Sequence, residues 1–145
     1  MIQHIDVHAV LRASVSGVYT DLVTRPTGRA VRERIERDIG DGRAAVAVMD
    51  FTGVGCLDYS CADEIVANLL RERVRVLLLR GVTEAHRDAI EAVLAGHGLA
   101  VVIERSDGTL EALGPSHTAE GLFQELVARR LAARTPGGTF ALTVS

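Results

Sequence analysis

Three nearly continuous apolar stretches constrain the fold of this chain more than any other feature. They are "AAVAVMDF" (44–51), "VRVLLLRG" (74–81) and "LAVVIE" (99–104). Apolar runs of this length are typical of strands that are buried on both faces of a sheet. Segments with helical spacing lie between them, and strands that alternate with helices indicate βαβ units. The sequence therefore predicts an α/β fold with a central sheet covered by helices.

The segments next to these strands have the apolar spacing of amphipathic helices. Residues 24–40, 60–73 and 83–98 each place apolar side chains three or four positions apart. Each segment has one apolar stripe and one charged face. We therefore expect three helices that pack on the sheet through these stripes.

The ends of two predicted helices carry recognisable capping residues. Thr24 or Thr27 can cap the first helix, and Thr83 can cap the third. Gly98 suits the end of the third helix, because glycine adopts the left-handed backbone that often terminates helices. His86 lies in the first turn of that helix, and we expect it to face solvent.

The two ends of the chain give different signals. Residues 4–11 ("HIDVHAVL") alternate apolar and polar side chains like a half-exposed strand, and residues 14–23 continue it as an antiparallel ribbon. The sheet should therefore be mixed. Residues 117–144 read as a helix, a glycine-rich turn and a strand. We expect a domain over residues 1–114, with 115–145 forming a helix and strand packed on or extending it.

Composition narrows the functional classes. A net charge of −3 and an aromatic content of 3% argue against nucleic-acid binding by the whole chain. All 16 basic residues are arginine, which excludes lysine-dependent chemistry such as a Schiff base. No segment approaches the ~18 consecutive apolar residues of a membrane span. The N-terminus lacks the pattern of a signal peptide, and two cysteines without metal-ligand spacing favour a cytoplasmic protein.

A C-terminal arginine cluster offers one weak route to nucleic acid. Arg129, Arg130 and Arg134 lie in a helix, turn and strand that look like the second half of a winged helix. The first two helices of such a domain have no room in this segment. A solvated basic face is the simpler interpretation, so we do not expect nucleic acid to be the partner.

Polar residues crowd the turn in "FTGVGCLDYSCADEIV" (51–66). Ser60 followed by Asp63 resembles a capping box at the start of a helix. Asp63 and Glu64 suit the positive end of the helix dipole. Capping therefore accounts for three of the four polar residues and leaves Asp58 without a role.

The same carboxylates permit a second interpretation, as a small metal-dependent enzyme or ligand binder. Ligands of open α/β sheets bind beyond the carboxyl ends of the strands, where Asp50, Asp58, Asp63 and Glu64 lie in sequence. Carboxylates of this kind hold Mg²⁺. Few other catalytic groups converge on the turn. Cys61, near the start of the helix, can be a reactive thiolate or, more commonly, a small packed residue.

The turn and the strand before it resemble the signature of STAS domains, the fold of bacterial anti-sigma-factor antagonists. In that family a strand ends in Asp, an apolar residue, Ser, Gly and Val, and Asp–Ser–Ser–Gly then opens a helix. The second Ser of that motif is phosphorylated by a kinase-like anti-sigma factor. Here Asp50, Gly53 and Val54 match the end of the strand, Asp58 matches the second Asp, and Ser60 matches the phosphorylated Ser.

The chain departs from the family pattern at three positions. Tyr59 replaces the first Ser, Cys61 replaces the Gly, and Asp63 replaces a later small residue. The resemblance covers residues 5–112, and "DYSCADEIV" is more similar to a STAS-like branch found as stand-alone bacterial proteins. It implies a STAS-like mixed central sheet covered by helices, with a C-terminal helix and strand as an extension.

The resemblance also implies a function in signalling and transcription regulation. We expect a non-enzymatic protein–protein interaction module that needs no metal and no cofactor. Its partner would be an anti-sigma factor or a histidine-kinase-like ATPase. The docking surface would comprise Asp58, Tyr59, Ser60, Asp63 and Glu64 with the helix that follows. Phosphorylation of Ser60 would switch it, because a phosphate brings about −1.5 to −2 charges. The oligomeric state stays open.

Overall fold

A computed structural model describes residues 2–15, 20–40 and 44–143. The described residues form one mixed sheet and the helices around it. In chain order the elements are β1 (Ile2–Asp6), α1 (Val7–Ser14), α2 (Arg25–Ile39), β2 (Ala44–Asp50), α3 (Tyr59–Ala62), a π-helical turn (Asp63–Ala67), α4 (Asn68–Glu72), β3 (Val74–Arg80), α5 (Glu84–His97), β4 (Val101–Glu104), β5 (Thr109–Leu113), α6 (Ser116–Ala128), β6 (Ala132–Arg134) and β7 (Phe140–Leu142).

The first half of the sheet is parallel and follows the order of the sequence. Strands β1, β2, β3 and β4 are neighbours, and each pair is parallel. A right-handed crossover between successive strands that advance in one direction places every connecting helix on the same face. Helices α1 to α5 accordingly share one core on that face, which includes Leu11, Ile35, Leu69 and Ile90.

The second half of the sheet is antiparallel. Strand β5 pairs with β4, β7 pairs with β5, and β6 forms the edge beside β7. Helix α6 packs on the opposite face of the sheet, where buried Leu126 joins Val48, Val76 and Leu78 in a second core. The predicted α/β fold with a mixed sheet is therefore confirmed.

The interior elements match their predictions closely. The predicted strands 44–51, 74–81 and 99–104 and the three predicted helices agree with the structure within two residues at each end. Thr24 caps α2 by accepting a hydrogen bond from the backbone N–H of Thr27. None of the helices in the described ranges combines the length and the apolarity that a membrane crossing requires.

The predicted strand over residues 4–11 is wrong beyond Asp6. The strand ends there, and the Asp6 carboxylate caps α1 by accepting from the N–H of Ala9 at 3.1 Å. The alternating pattern misled because Val7 and Leu11 are also four residues apart, which is a helical spacing. Both side chains are fully buried, so the helical period decided the structure of this segment.

The predicted antiparallel ribbon is also wrong, since β1 pairs in parallel with β2 instead. Residues 16–19 lie outside the described residues. Leu22 forms an isolated parallel bridge with Leu57 rather than part of a ribbon. The sheet is mixed because of β5, β7 and β6, and not because of the N-terminal segment.

Candidate functional site

The turn after β2, residues 51–58, is tied to the segment that precedes α2. The carbonyl of Cys56 accepts from the N–H of Leu22 at 2.8 Å, and the N–H of Asp58 donates to the carbonyl of Leu22 at 2.8 Å. The carboxylate of Asp21 accepts from the N–H of Cys56 at 2.8 Å. These bonds fix the backbone of the turn from one side.

A buried histidine fixes the other side of this turn. His86 is 1% exposed, and its Nε2 lies 2.6 Å from the carbonyl oxygen of Gly55. Its Nδ1 accepts from the N–H of Thr83 at 3.2 Å, which places the ring proton on Nε2. Both ring nitrogens are therefore engaged in holding the turn to the start of α5. The prediction that His86 faces solvent is wrong.

Asp58, and not Ser60, caps the helix that follows the turn. The Asp58 carboxylate accepts from the N–H of Ser60 at 3.1 Å, and the first helical residue is Tyr59. Ser60 is the second residue of the helix and is half-buried. Asp is as good a cap as Ser, so the helix begins before Ser60. Asp58, for which the sequence analysis found no role, is therefore the helix cap that was predicted to be Ser60.

Glu64 is buried among arginines of α2. It is 7% exposed, with Oε1 3.1 Å from Arg25 and Oε2 3.2 Å from Arg32. Arg29 approaches within 4.0 Å. A buried carboxylate needs such partners, because its desolvation is otherwise unfavourable. The structure thus corrects the prediction for Glu64, which lies inside the protein and not on a docking surface.

The π-helical turn explains why Glu64 faces inward. Glu64, Ile65, Val66 and Ala67 are all buried although they are consecutive. A regular α-helix with one buried stripe would turn at least one of four successive residues to solvent. The wider π-helical turn, and contacts with both α2 and α5, bring all four inside. Single π-helical turns often occur at functional sites.

Asp63 connects α2 with α5. Its carboxylate lies 3.1 Å from Arg25 and 2.7 Å from Nε2 of His97. Partial burial would raise the pKa of Asp63, but the hydrogen bonds from His97 and Arg25 outweigh burial and lower it below its usual value. Asp63 therefore acts mainly as an ion-pair partner within the domain.

The four carboxylates of the predicted metal site are used in different ways. Asp50 accepts from the N–H of Thr52 at 2.9 Å, Asp58 caps α3, and Asp63 and Glu64 pair with arginines. No group of three or more His, Cys, Asp or Glu side chains that could hold a metal ion occurs within residues 2–15, 20–40 and 44–143. The structure does not bring these four carboxylates together.

Cys61 is a packed residue and not a nucleophile. Its Sγ donates to the carbonyl of Thr24 at 2.9 Å. Burial raises the pKa of the Cys61 thiol to about 11, so the thiol is protonated at neutral pH. Gly28 of α2 packs directly on it, since a Cβ at Gly28 would lie 2.9 Å from the Cα of Cys61. Cys56, in the turn, is exposed.

Three consecutive residues remain accessible where the turn meets the start of α3. Asp58 and Tyr59 are exposed, and Ser60 is half-buried. Tyr59 is 46% exposed, which makes it the most exposed aromatic residue within the described ranges. Its hydroxyl lies beside Gly96 near the end of α5. The sequence did not distinguish these outward side chains from the inward Asp63 and Glu64.

The fold and the turn together define a mixed α/β protein with a rigid, solvent-facing turn at the carboxyl end of β2. No protein-family model, curated protein or solved structure matches the chain. The likeness of residues 50–64 to STAS domains therefore rests on the sequence motif alone.

Proposed function

We propose that this protein is a non-enzymatic interaction module that docks a regulatory protein. The docking surface is the turn surface, defined here as Asp58, Tyr59 and Ser60. The observation that carries the proposal is the 46% exposure of Tyr59, the first residue of α3, directly after a turn whose backbone is bonded on both sides. Exposed tyrosines on ordered backbone are typical of the residues that dominate binding energy at protein interfaces.

The rigidity of the turn favours binding. The bonds from Leu22, Asp21 and His86 order the backbone before any partner arrives. Less conformational entropy is then lost on association than for a mobile loop. Tyr59 has two side-chain torsions, so it buries a large area with little further loss of freedom.

The charges behind the turn surface are compensated within the protein. Glu64 and Asp63 pair with Arg25, Arg32 and His97. Asp58 is therefore the carboxylate that the surface presents beside Tyr59. A partner that contacts the tyrosine ring and offers a donor to Asp58 would satisfy both groups.

The resemblance to STAS domains supports a particular class of partner, an anti-sigma factor or a histidine-kinase-like ATPase in bacterial transcription regulation. A cytoplasmic location accompanies this proposal. Phosphorylation of Ser60 would be the switch. A phosphate there would add about −1.5 to −2 charges next to the Asp58 carboxylate and beside Tyr59. Repulsion and desolvation of the phosphate would then release the partner.

The alternative of a metal-dependent enzyme or ligand binder receives no comparable support. Asp50 is bonded to the backbone N–H of Thr52, and Glu64 is enclosed by arginines. Within the described residues, neither carboxylate forms with Asp58 and a third side chain a group that could hold a metal ion. We therefore do not propose the enzyme.

The test is affinity capture from a lysate of the native organism, with matched bait variants read by mass spectrometry. Tyr59→Ala and Ser60→Asp should lose a partner that the wild type retains. Tyr59→Phe, Ser60→Ala and Ser106→Asp should retain it, since Ser106 is exposed at the turn between β4 and β5, outside the turn surface.

Two further results would decide the proposal. A mass increase at Ser60 after incubation with the captured kinase would support the switch. Capture of the same proteins by all baits would show that the turn surface is not the docking site, and Ser60 would then have only a structural role.

A further inference from the structure

A second surface lies beside α6, on the face of the sheet opposite to helices α1 to α5. It is an open groove of about 400 Å³ between α6 and the β6–β7 hairpin. We name it the C-terminal groove and define it by its lining residues, Phe123, Gln124, Val127, Ala128, Arg134 and Phe140. We propose that the C-terminal groove binds an acidic, amphipathic segment of a partner protein.

The first argument is the placement of the aromatic residues. The chain has 3 phenylalanines, of which Phe51 is buried in the main core. The other two, Phe123 and Phe140, line the groove and stack with their ring centroids 4.8 Å apart. Both rings are partly exposed. A protein with few aromatic residues that places two of them in a surface groove has an apolar patch suited to binding.

Helix α6 presents a second apolar ridge that the sheet covers only in part, since Phe123 packs against the second core while Val127 is exposed. Leu122 and Leu126 pack toward the sheet. Phe123 and Val127, four residues apart, form the ridge that faces the groove, and Val127 is 43% exposed. Side chains at this spacing lie on one helix face.

An arginine in the lining of the groove determines the charge of the partner. The guanidinium group of Arg134 lies 5.0 Å from the centre of the Phe140 ring. Within the described residues Arg134 forms no salt bridge, whereas Arg129 pairs with Glu125. Arg134 is the charged residue of the lining, so the groove carries a positive charge in a chain of net charge −3. A carboxylate of the partner would pair with Arg134 while its apolar side chains cover the rings.

The charge also argues against the competing occupants. A symmetric dimer through the groove would bring Arg134 of both copies to one interface, and like charges repel there. Duplex DNA would use Arg134 but not the apolar floor of the groove. Small molecules prefer enclosed pockets that cover most of their surface, whereas Gln124, Val127 and Arg134 are exposed. An acidic peptide with an apolar face satisfies every part of the groove.

Arg134 allows the binding role to be separated from stability. It is exposed, and substitutions of exposed residues usually change stability little. Arg134→Gln removes the positive charge of the lining and should leave the melting temperature almost unchanged. The same change should weaken binding of an acidic partner.

The experiment uses the full chain and fluorescein-labelled synthetic peptides. One peptide carries leucine on one helical face and glutamate on the other, and a matched peptide has lysine in place of glutamate. Fluorescence anisotropy should show saturable binding of the acidic peptide, about tenfold tighter than the lysine peptide. Val127→Glu and Arg134→Gln should each weaken it by about tenfold or more. Val23→Glu, a change at an exposed valine outside the groove, should have no effect.

This inference is independent of the turn surface. Tyr59→Ala should leave peptide binding unchanged, so the two proposals can fail separately. Absence of binding, or equal binding of both peptides, would overturn the inference. Competition by duplex DNA, or a dimer in sedimentation that Val127→Glu dissociates, would overturn it in favour of those occupants.

Discussion

Arg32 and Glu64 form an ion pair across two helical elements, with Nε of Arg32 3.2 Å from Oε2 of Glu64. Arg32 also pairs with Glu36 at 2.7 Å, and Glu36 pairs with Arg73 at 3.6 Å. This chain of charges joins α2 to the helix behind the turn surface and to the start of β3. The position of the turn surface therefore depends on residues that a partner never touches.

Replacement of Glu64 by glutamine should destabilise the fold. The change leaves Arg25 and Arg32 facing a neutral group in a largely buried site. We expect a loss of about 2 kcal/mol in the free energy of unfolding, less than for a fully buried pair because Arg25 is partly exposed. Urea unfolding measures it. Glu33→Gln, on the exposed side of α2, is the control, and equal losses for both variants would refute the role of the ion pairs.

Asp63 should make stability depend on pH in the acid range. Its pKa is lowered in the folded protein, so its contribution is present above the unfolded value of about 3.9 and is lost as pH falls through the folded pKa. Between pH 6 and pH 3, wild type should lose more stability than Asp63→Asn. Urea unfolding at the two pH values tests this, and parallel losses in both proteins would contradict it.

The two cysteines should differ in reactivity. Cys56 is exposed, whereas burial raises the pKa of the Cys61 thiol to about 11. Iodoacetamide at neutral pH should add one label to the native protein, at Cys56, and Cys56→Ser should add none. Intact-mass analysis followed by peptide mapping reads the outcome. Labelling of Cys61 at the rate of Cys56 would show that α2 does not cover it as described.

The contact between Gly28 and Cys61 should tolerate no added methyl group. A Cβ at Gly28 would lie 2.9 Å from the Cα of Cys61, so α2 must move away from the helix that carries the turn surface. We expect Gly28→Ala to lower stability by about 1–3 kcal/mol. Gly121→Ala, in α6 with open space around it, should instead raise stability by up to ~1 kcal/mol. A Gly28→Ala protein as stable as wild type would refute the tight packing.

The interior of the fold was predictable because burial imposes a period on the sequence. The stretch 44–51 is apolar on both faces, since helices cover one face of β2 and α6 contributes to the core on the other. The N-terminal segment was not predictable in the same way. The spacing of Val7 and Leu11 fits both the two-residue period of a strand and the period of a helix. Packing of α1 against α2 selects the helix.

The candidate site was predictable in its position but not in the directions of its side chains. The motif indicated a turn and a helix start, and both are present. The inward direction of Glu64 depends on a π-helical turn, which has no sequence signal that we can identify. It also depends on arginines more than 30 positions earlier in the chain, such as Arg32.

The sequence around His86 contains a capping pattern that predicts a fixed side chain rather than a solvent-facing one. Thr83 and His86 stand three residues apart at a helix start, in the positions of a capping box. That spacing predicts mutual side-chain bonds to the backbone and hence a fixed histidine. The bond to Gly55, 31 residues earlier, belongs to the tertiary structure and could not be read from the sequence.

Each of the strands β2 to β5 pairs with the strand that precedes it in the chain. During synthesis from the N-terminus, every new strand therefore meets a partner that is already complete. The three parallel pairings join residues 44, 30 and 24 positions apart (Ile2 with Val46, Ala44 with Val74, Leu78 with Val102), so each closes a long loop and forms slowly. Strand β7 pairs with β5 although α6 and β6 lie between these two strands in the sequence. The growing chain can thus assemble the parallel half of the sheet, with the turn surface in place, while the segment that forms the C-terminal groove is still inside the ribosome.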